Sequence, residues 1–375
     1  MKIGIITTYP EKGSKNIGDY LITNSTELAI QALVGCCQFE RFFRADTWER
    51  VGQGLSAVDH IVIACMAIRE QGMFTRIYPY AEQLLGLAIP YSVLSAGTEL
   101  PQVDRDCYAW RGSIQERRLL EKFLSGASGV SSRGLLTHRF LAVLGIDSPF
   151  LGDIAFYDPR FLGRKFTAVR SIRKIAISDP HYWLRYYRPM MGLRAGMQTM
   201  FPEAKIEILL HGKSGIRRQL DRAGIAYRPI YEQPNDGLDV YDEYDLHVGF
   251  RVHGHVSALK RCKPSYLLEQ DGRGADYGAS FPVNCSVPFF QSAAPWRQRM
   301  IKTVEYLRLQ RSLSLNANLP GSIFRVLAMI DEHRKEGFQS FLGLERKIQE
   351  MNRSNLEFLR HCLGDPKSGR EKQAA

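Results

Sequence analysis

From Asp245 to His255 the chain reads Asp-Leu-His-Val-Gly-Phe-Arg-Val-His-Gly-His, an apolar strand pattern running straight into an arginine, a histidine and a glycine. Arg251 carries a planar fork of N–H donors that matches carboxylate or phosphate. His253 brings an imidazole, the side-chain type whose proton ordinarily moves near neutral pH. Gly254 lets the backbone come close to a ligand as a helix pattern begins, and the first amides of that helix add positive potential. A single histidine at a helix start is usually a structural cap. Grouped with Arg251 and Gly254, His253 reads instead as a titratable group inside an anion site.

Other strand ends carry similar chemistry. Pro264–Leu268 leads to Glu269, Asp271 and Arg273, while His181 follows Ser178-Asp-Pro and the triplet His211-Gly-Lys213 follows another apolar run. Four strand exits thus deliver His, Arg or Lys toward one edge, and that convergence points to a site more firmly than any one residue. In the N-terminal half, Lys15-Asn16-Ile17-Gly18-Asp19 forms a tight turn with Asp19 expected at a helix N-cap; contact of Asn16 and Asp19 with an acceptor is the functional alternative. Arg133 ends the run Gly129-Val-Ser-Ser, where a guanidinium would face a ligand or a surface carboxylate. Asp153, in Gly152-Asp-Ile-Ala-Phe, would orient a hydroxyl or satisfy the amides of a turn.

These residues need strands that end on one edge, and the pattern supplies them. Short apolar runs alternate with helical periodicity from Lys2 onward, as in βαβ units and parallel sheets. Strands are expected at Lys2–Thr7, His60–Met66, Pro90–Ser95, Gly129–Ser132 and Pro149–Gly152 in the first half. In the second they are expected at Lys174–Ser178, Lys205–His211, Tyr227–Ile230, Leu246–Phe250 and Pro264–Leu268. The fold class is α/β, with two facing Rossmann-like domains and C-terminal helices. The expected division is 1–160 for the acceptor side, 161–295 for the donor side, 296–363 for helices packing on the domains and 364–375 for a polar tail. The last helical patterns run over Trp296–Leu313 and Ser322–Cys362, broken near Gly337 and Gly343.

Composition narrows the function classes. Hydrophobic residues at 45% and charged residues at 24% suit a soluble globular chain of 375 residues. A net charge of +11 suits an anionic partner, and the densest basic stretch runs from Arg160 to Arg194. Aromatic-basic stripes and nucleic-acid modules are missing, so no nucleic-acid partner is expected. Seven cysteines without close spacing fit neither a disulfide framework nor a zinc site, and no metal is expected. The opening Met-Lys-Ile-Gly-Ile-Ile is a strand rather than a signal peptide, and the apolar run Ile61–Ile68 is far too short to cross a bilayer. A cytoplasmic protein is expected, its contact with the inner membrane peripheral if it has any.

The motifs occur together in an order that resembles the polysaccharide pyruvyltransferase family: Asn-x-Gly-Asp at Asn16–Asp19, the strand and arginine at Val130–Arg133, Leu-Gly-Asp-x-Ala-Phe at Leu151–Phe156, and Gly-Phe-Arg-x-His-Gly at Gly249–Gly254. Two positions depart from the family pattern. Ala64-Cys-Met-Ala-Ile68 stands where a glycine-rich turn is usual, and Gly134 replaces an acidic residue after Arg133. The resemblance implies a fold similar to glycosyltransferase B, and transfer of pyruvate from phosphoenolpyruvate to sugar hydroxyls as a cyclic ketal. It implies Arg251 and His253 as the catalytic pair, Arg251, Arg133, His181, Lys213 and Gly254 at the donor, and Asn16, Asp19 and Asp153 at the acceptor. Phosphoenolpyruvate would be a substrate and no cofactor would be needed; the acceptor would be a glycan or lipid-linked glycan. The alternative is a nucleotide-sugar-dependent glycosyltransferase on a similar two-domain fold.

Overall fold

A computed structural model describes residues 1–10, 13–69, 72–100, 108, 110, 112–289 and 321–364. The expected helix Trp296–Leu313 and the polar tail lie outside the described residues. The chain forms two α/β units.

The first unit takes residues 1–10, the described part of 18–164, and residues 345–364. Its sheet contains β1 (Lys2–Thr7), β2 (Gln38–Phe43), β3 (His60–Ala64), β4 (Ala67–Ile68), β5 (Tyr91–Thr98) and β6 (Gly129–Ser132). The order is β2-β1-β3-β5-β4, with β6 also on β5, and every pairing is parallel. β3 and β5 are buried along their whole length, as expected of parallel strands covered on both faces. The register slips between Val93 and Ala96 of β5, and Ser95 within that slip has φ 53°. The C-terminal helix Leu344–Leu363 returns to this unit. There the Asn355 amide donates to the carbonyls of Leu151 and Gly152 at 3.0 and 3.4 Å.

The second unit takes the described residues of 165–344 together with residues 13–17 of the first loop. Its strands are β7 (Lys174–Ser178), β8 (Lys205–Leu209), β9 (Tyr227–Arg228), β10 (Leu246–Gly249), β11 (Ser265–Glu269) and β12 (Ser286–Pro288). They lie in the order β12-β11-β10-β7-β8-β9, all parallel. The chain builds outward from β7 in one direction and from β10 in the other, so the connection direction reverses between these two neighbours. Ligands of open α/β sheets bind outside the carboxyl ends of the strands at such a reversal. Ile175, Ile177, Ile208, Leu246, Val248, Leu267 and Leu268 are fully buried in the sheet core. Each contributes about 1.5–3 kcal/mol by leaving water. The helices Trp183–Met200 and Ser322–Lys335 pack together closely enough that a Cβ on Gly196 would lie 2.3 Å from Leu327.

Several expected elements differ. Pro149–Gly152 is not a strand: it makes one isolated bridge, Ser132 to Phe150, before a 3-10 turn at Ile154–Phe156. The helix expected over Ile77–Leu87 is a wide turn, Met73–Ile77, followed by a short helix, Ala81–Leu85. The first helix starts at Ile17, so Asp19 sits inside its first turn rather than at the N-cap. Strand β2, strand β12 and the helices Trp48–Leu55 and Gly272–Ser280 were not anticipated.

Candidate functional site

In the second unit, Gly249 of β10 pairs with Ser178 of β7, and the two strands lead directly to Arg251 and Asp179. Asp179 is fully buried and Arg251 is 9% exposed. The Asp179 carboxylate accepts from Arg251 Nε at 2.9 Å and from Nη2 at 2.8 Å, and the Asp179 carbonyl accepts from Nε at 3.0 Å. Its Oδ1 also accepts the His211 amide at the end of β8, at 2.9 Å. This two-point grip fixes the plane of the guanidinium and leaves Nη1 turned toward His181 Nδ1, 3.3 Å away. Gln270, just past β11, ties the same edge together: its Oε1 accepts the His181 amide at 2.9 Å and its Nε2 donates to the Phe250 carbonyl at 2.6 Å.

The helix Val252–Leu259 begins immediately after Arg251, so His253 and Gly254 occupy its first turn. His181 and Lys213 are exposed, His253 is half-buried, and Arg251 is buried. A Cβ on Gly254 would lie 2.6 Å from the Tyr241 hydroxyl and 3.2 Å from the His211 ring. The glycine expected to admit a ligand therefore admits the protein's own Tyr241 and His211. Burial pushes His211 well below its ordinary pKa, with the Arg251 charge acting the same way, so this ring stays neutral. Asn16 also belongs here. The Ile17 amide donates to the His211 carbonyl at 2.9 Å, and the Lys213 amide donates to the Ser14 carbonyl at 2.7 Å. A Cβ on Gly212 would be 3.8 Å from both Arg251 Nη2 and Asn16 Cα.

The first unit holds the remaining expected residues. Arg133 is only 4% exposed, its Nη1 donating to Cys65 Sγ at 3.2 Å and standing 4.0 Å from Asp153 Oδ2. Asp153 caps the turn that follows, accepting the Ala155 amide at 2.8 Å, as the structural alternative for it required. A Cβ on Gly97 would lie 2.2 Å from Arg133 Nε, so the guanidinium rests directly against the backbone of β5. Cys65 has φ 59°, in the region that favours glycine, at the turn where this sequence departs from a glycine-rich pattern. Burial pushes its thiol up to about 12, so Cys65 stays protonated. Asp19 belongs to this unit, although Asn16, three residues earlier, belongs to the other.

The structure thus brings Arg251, His253, Gly254, His181, Lys213 and Asn16 together in one unit, and Arg133 with Asp153 in the other. Reading the sequence alone missed Asp179, Gln270, Tyr241 and Ser178. The first had a visible signal: a carboxylate directly after a buried strand, within the same Ser-Asp-Pro turn that leads to His181.

No curated protein sequence matches the chain. Solved structures with a similar course include the UDP complex of S. aureus MnaA (TM-score 0.41, 11% identity, 89% of this chain and 96% of that one). They also include a putative UDP-N-acetylglucosamine 2-epimerase from Listeria monocytogenes (0.43, 13%, 89% and 96%) and the wall teichoic acid polymerase TagF (0.41, 11%, 90% and 90%). The family model described as polysaccharide pyruvyl transferase matches residues 89–272, a span that begins just before β5 and runs past the Arg251 site. The match to the polysaccharide pyruvyl transferase family thus covers just under half of the chain.

Proposed function

We propose that the protein transfers the pyruvyl group of phosphoenolpyruvate to two hydroxyls of a sugar, on a glycan or lipid-linked glycan, to form a cyclic ketal. One observation carries this reading: a guanidinium held rigidly by Asp179 at the point where the strand order of the second unit reverses, beside a histidine and a helix N-terminus. Phosphoenolpyruvate bears a phosphate and a carboxylate, and the edge of Arg251 not taken by Asp179, with His181 and Lys213 at the rim, supplies cationic and donor groups for them.

The chemistry follows from these placements. His253 gives its proton to the methylene carbon of the enol, which becomes a methyl group, and positive charge develops at C2. A sugar hydroxyl adds to C2 and its proton passes to His253, restoring the acid. The bond from C2 to the phosphate oxygen then breaks, the electron pair leaving with phosphate, and a second hydroxyl closes the ring, its proton ending on the released phosphate. Arg251 offsets the charge that gathers on the departing phosphate. One donor and two hydroxyls yield one ketal and inorganic phosphate.

Release of phosphate from phosphoenolpyruvate in the presence of a glycan bearing a suitable diol is the direct test. Arg251→Ala and His253→Ala should each lower kcat/KM by about 10²-fold or more while the circular dichroism spectrum is kept. A thermal-shift panel in which nucleotide sugars stabilise the protein and phosphoenolpyruvate does not would overturn the reading.

A further inference from the structure

Beneath Arg251 runs a string of polar groups that the chemistry above does not use. Ser178 Oγ, at the end of β7, accepts the main-chain N–H groups of Phe250 and Arg251, each at 3.1 Å; the Phe250 amide also leans on the Ser178 carbonyl at 3.4 Å. His247 Nε2 lies 3.0 Å from the same Oγ, and His247 Nδ1 lies 2.7 Å from Ser265 Oγ on β11. Ser265 Oγ is also 2.7 Å from His255 Nδ1, and His255 Nε2 is 3.8 Å from Cys285 Sγ. Every member is buried. These positions sit in and against a parallel sheet, where Val and Ile are usual.

The two main-chain amides set the direction of the whole string. A hydroxyl has two lone pairs and one proton. With its lone pairs used by Phe250 and Arg251, Ser178 must donate to His247 Nε2. Burial pushes the pKa of His247 well below its ordinary value and that of His255 down to about 3, so both rings are neutral with one N–H each. His247 therefore carries its proton on Nδ1 and donates to Ser265, which must donate in turn to His255 Nδ1. That leaves the His255 proton on Nε2, pointing at Cys285. The reverse order would crowd three donors onto Ser178 and strand its own proton. Gly249 belongs to this arrangement, since a Cβ there would lie 2.4 Å from Ser178 Oγ.

We propose that Ser178 is a positioning residue for Arg251, and that the string Ser178–His247–Ser265–His255–Cys285 holds it through a single proton order. The string joins β7, β10, β11, the helix Val252–Leu259 and the residue just before β12, so the main chain of Arg251 is fixed by Ser178 while its side chain is fixed by Asp179. A network with every member satisfied is rigid, whereas one broken link leaves a buried group unpaired.

The first test needs no ligand. In the full chain labelled with ¹⁵N-histidine, nuclear magnetic resonance at neutral pH should show His247 protonated on Nδ1 and His255 on Nε2, each assigned by its loss in His247→Asn or His255→Asn. Finding the same tautomer at both rings, or a charged ring at either, overturns the proton order. The second arm rests on the donor reading above and uses phosphoenolpyruvate binding by calorimetry. Ser178→Ala should weaken binding about tenfold in the parent protein and less than about twofold in the Arg251→Ala background. Equal losses in both backgrounds would show that Ser178 does not act through Arg251. If phosphoenolpyruvate binds none of these proteins, the donor reading fails, and the tautomers still decide the string.

Discussion

The Asp179 carboxylate accepts from Arg251 Nε and Nη2 and from the His211 amide, so a buried charge is neutralised and a buried amide satisfied by one side chain. Removing that partner leaves Arg251 buried without its counter-charge. Asp179→Ala should therefore cost about 3–5 kcal/mol, measured by urea unfolding, well beyond an ordinary surface change. Glu269 is the second residue with a measurable signature. Burial raises its carboxyl to about 7, while the Ser286 hydroxyl at 2.6 Å and the charge of Arg325 pull the other way. Because the folded state holds this proton more tightly than the unfolded chain, the associated stability is full below the ordinary value of 4.5 and is lost as pH rises through about 7. Between pH values of about 5 and about 8, Glu269→Gln should gain roughly 3 kcal/mol relative to the parent. Melting curves of the two proteins across that range check it; parallel curves would contradict the raised carboxyl.

At the level of elements, the site depends on how closely β10 lies against β7. A Cβ at position 249 would meet not only Ser178 Oγ but the Ser178 main-chain nitrogen at 2.6 Å, and backbone cannot swing aside as a side chain can. Gly249→Ala should therefore push the strand ends apart, costing about 1–3 kcal/mol and weakening donor binding beyond what the stability loss explains. The readouts are denaturant unfolding and calorimetric binding on the same preparation. In the first unit, Cys65 and Ser95 sit at positive φ where glycine would be relaxed. Both are held by neighbours: Cys65 by Arg133, and Ser95 by the Ser131 hydroxyl at 2.9 Å and by Ile154, whose amide donates to Ser95 Oγ at 2.9 Å. Strain of this kind persists only where surrounding contacts over-determine it.

On the scale of the whole molecule, the chain leaves the first unit after Arg164 and returns to it at Glu345. The returning helix Leu344–Leu363 covers β6 so closely that a Cβ on Gly129 would lie 2.7 Å from Cys362 Sγ. Leu359 on that helix is fully buried. Leu359→Ala should destabilise the first unit by about 2–5 kcal/mol, seen as an earlier urea transition of the full chain. No helix among the described residues is long and apolar enough to cross a membrane.

Much of the fold was legible because it depends on local pattern. Lys2–Thr7 and Lys174–Ser178 form at the expected residues, since short apolar runs bounded by turn residues have few other solutions. Strand β2 escaped because Gln-Phe-Glu-Arg-Phe-Phe mixes charge into a sheet-edge strand, with no apolar run to mark it. The Arg251–His253 junction was likewise visible as strand, arginine, histidine and glycine in one short stretch. Tertiary structure alone decided what surrounds that junction. Placing β7 beside β10 joins residues some seventy positions apart, and only that pairing supplies Asp179 and Ser178 to Arg251. It also seated Asn16 with the second unit and the last helix with the first. Such partners are set by non-local strand pairing and packing, which no local periodicity encodes.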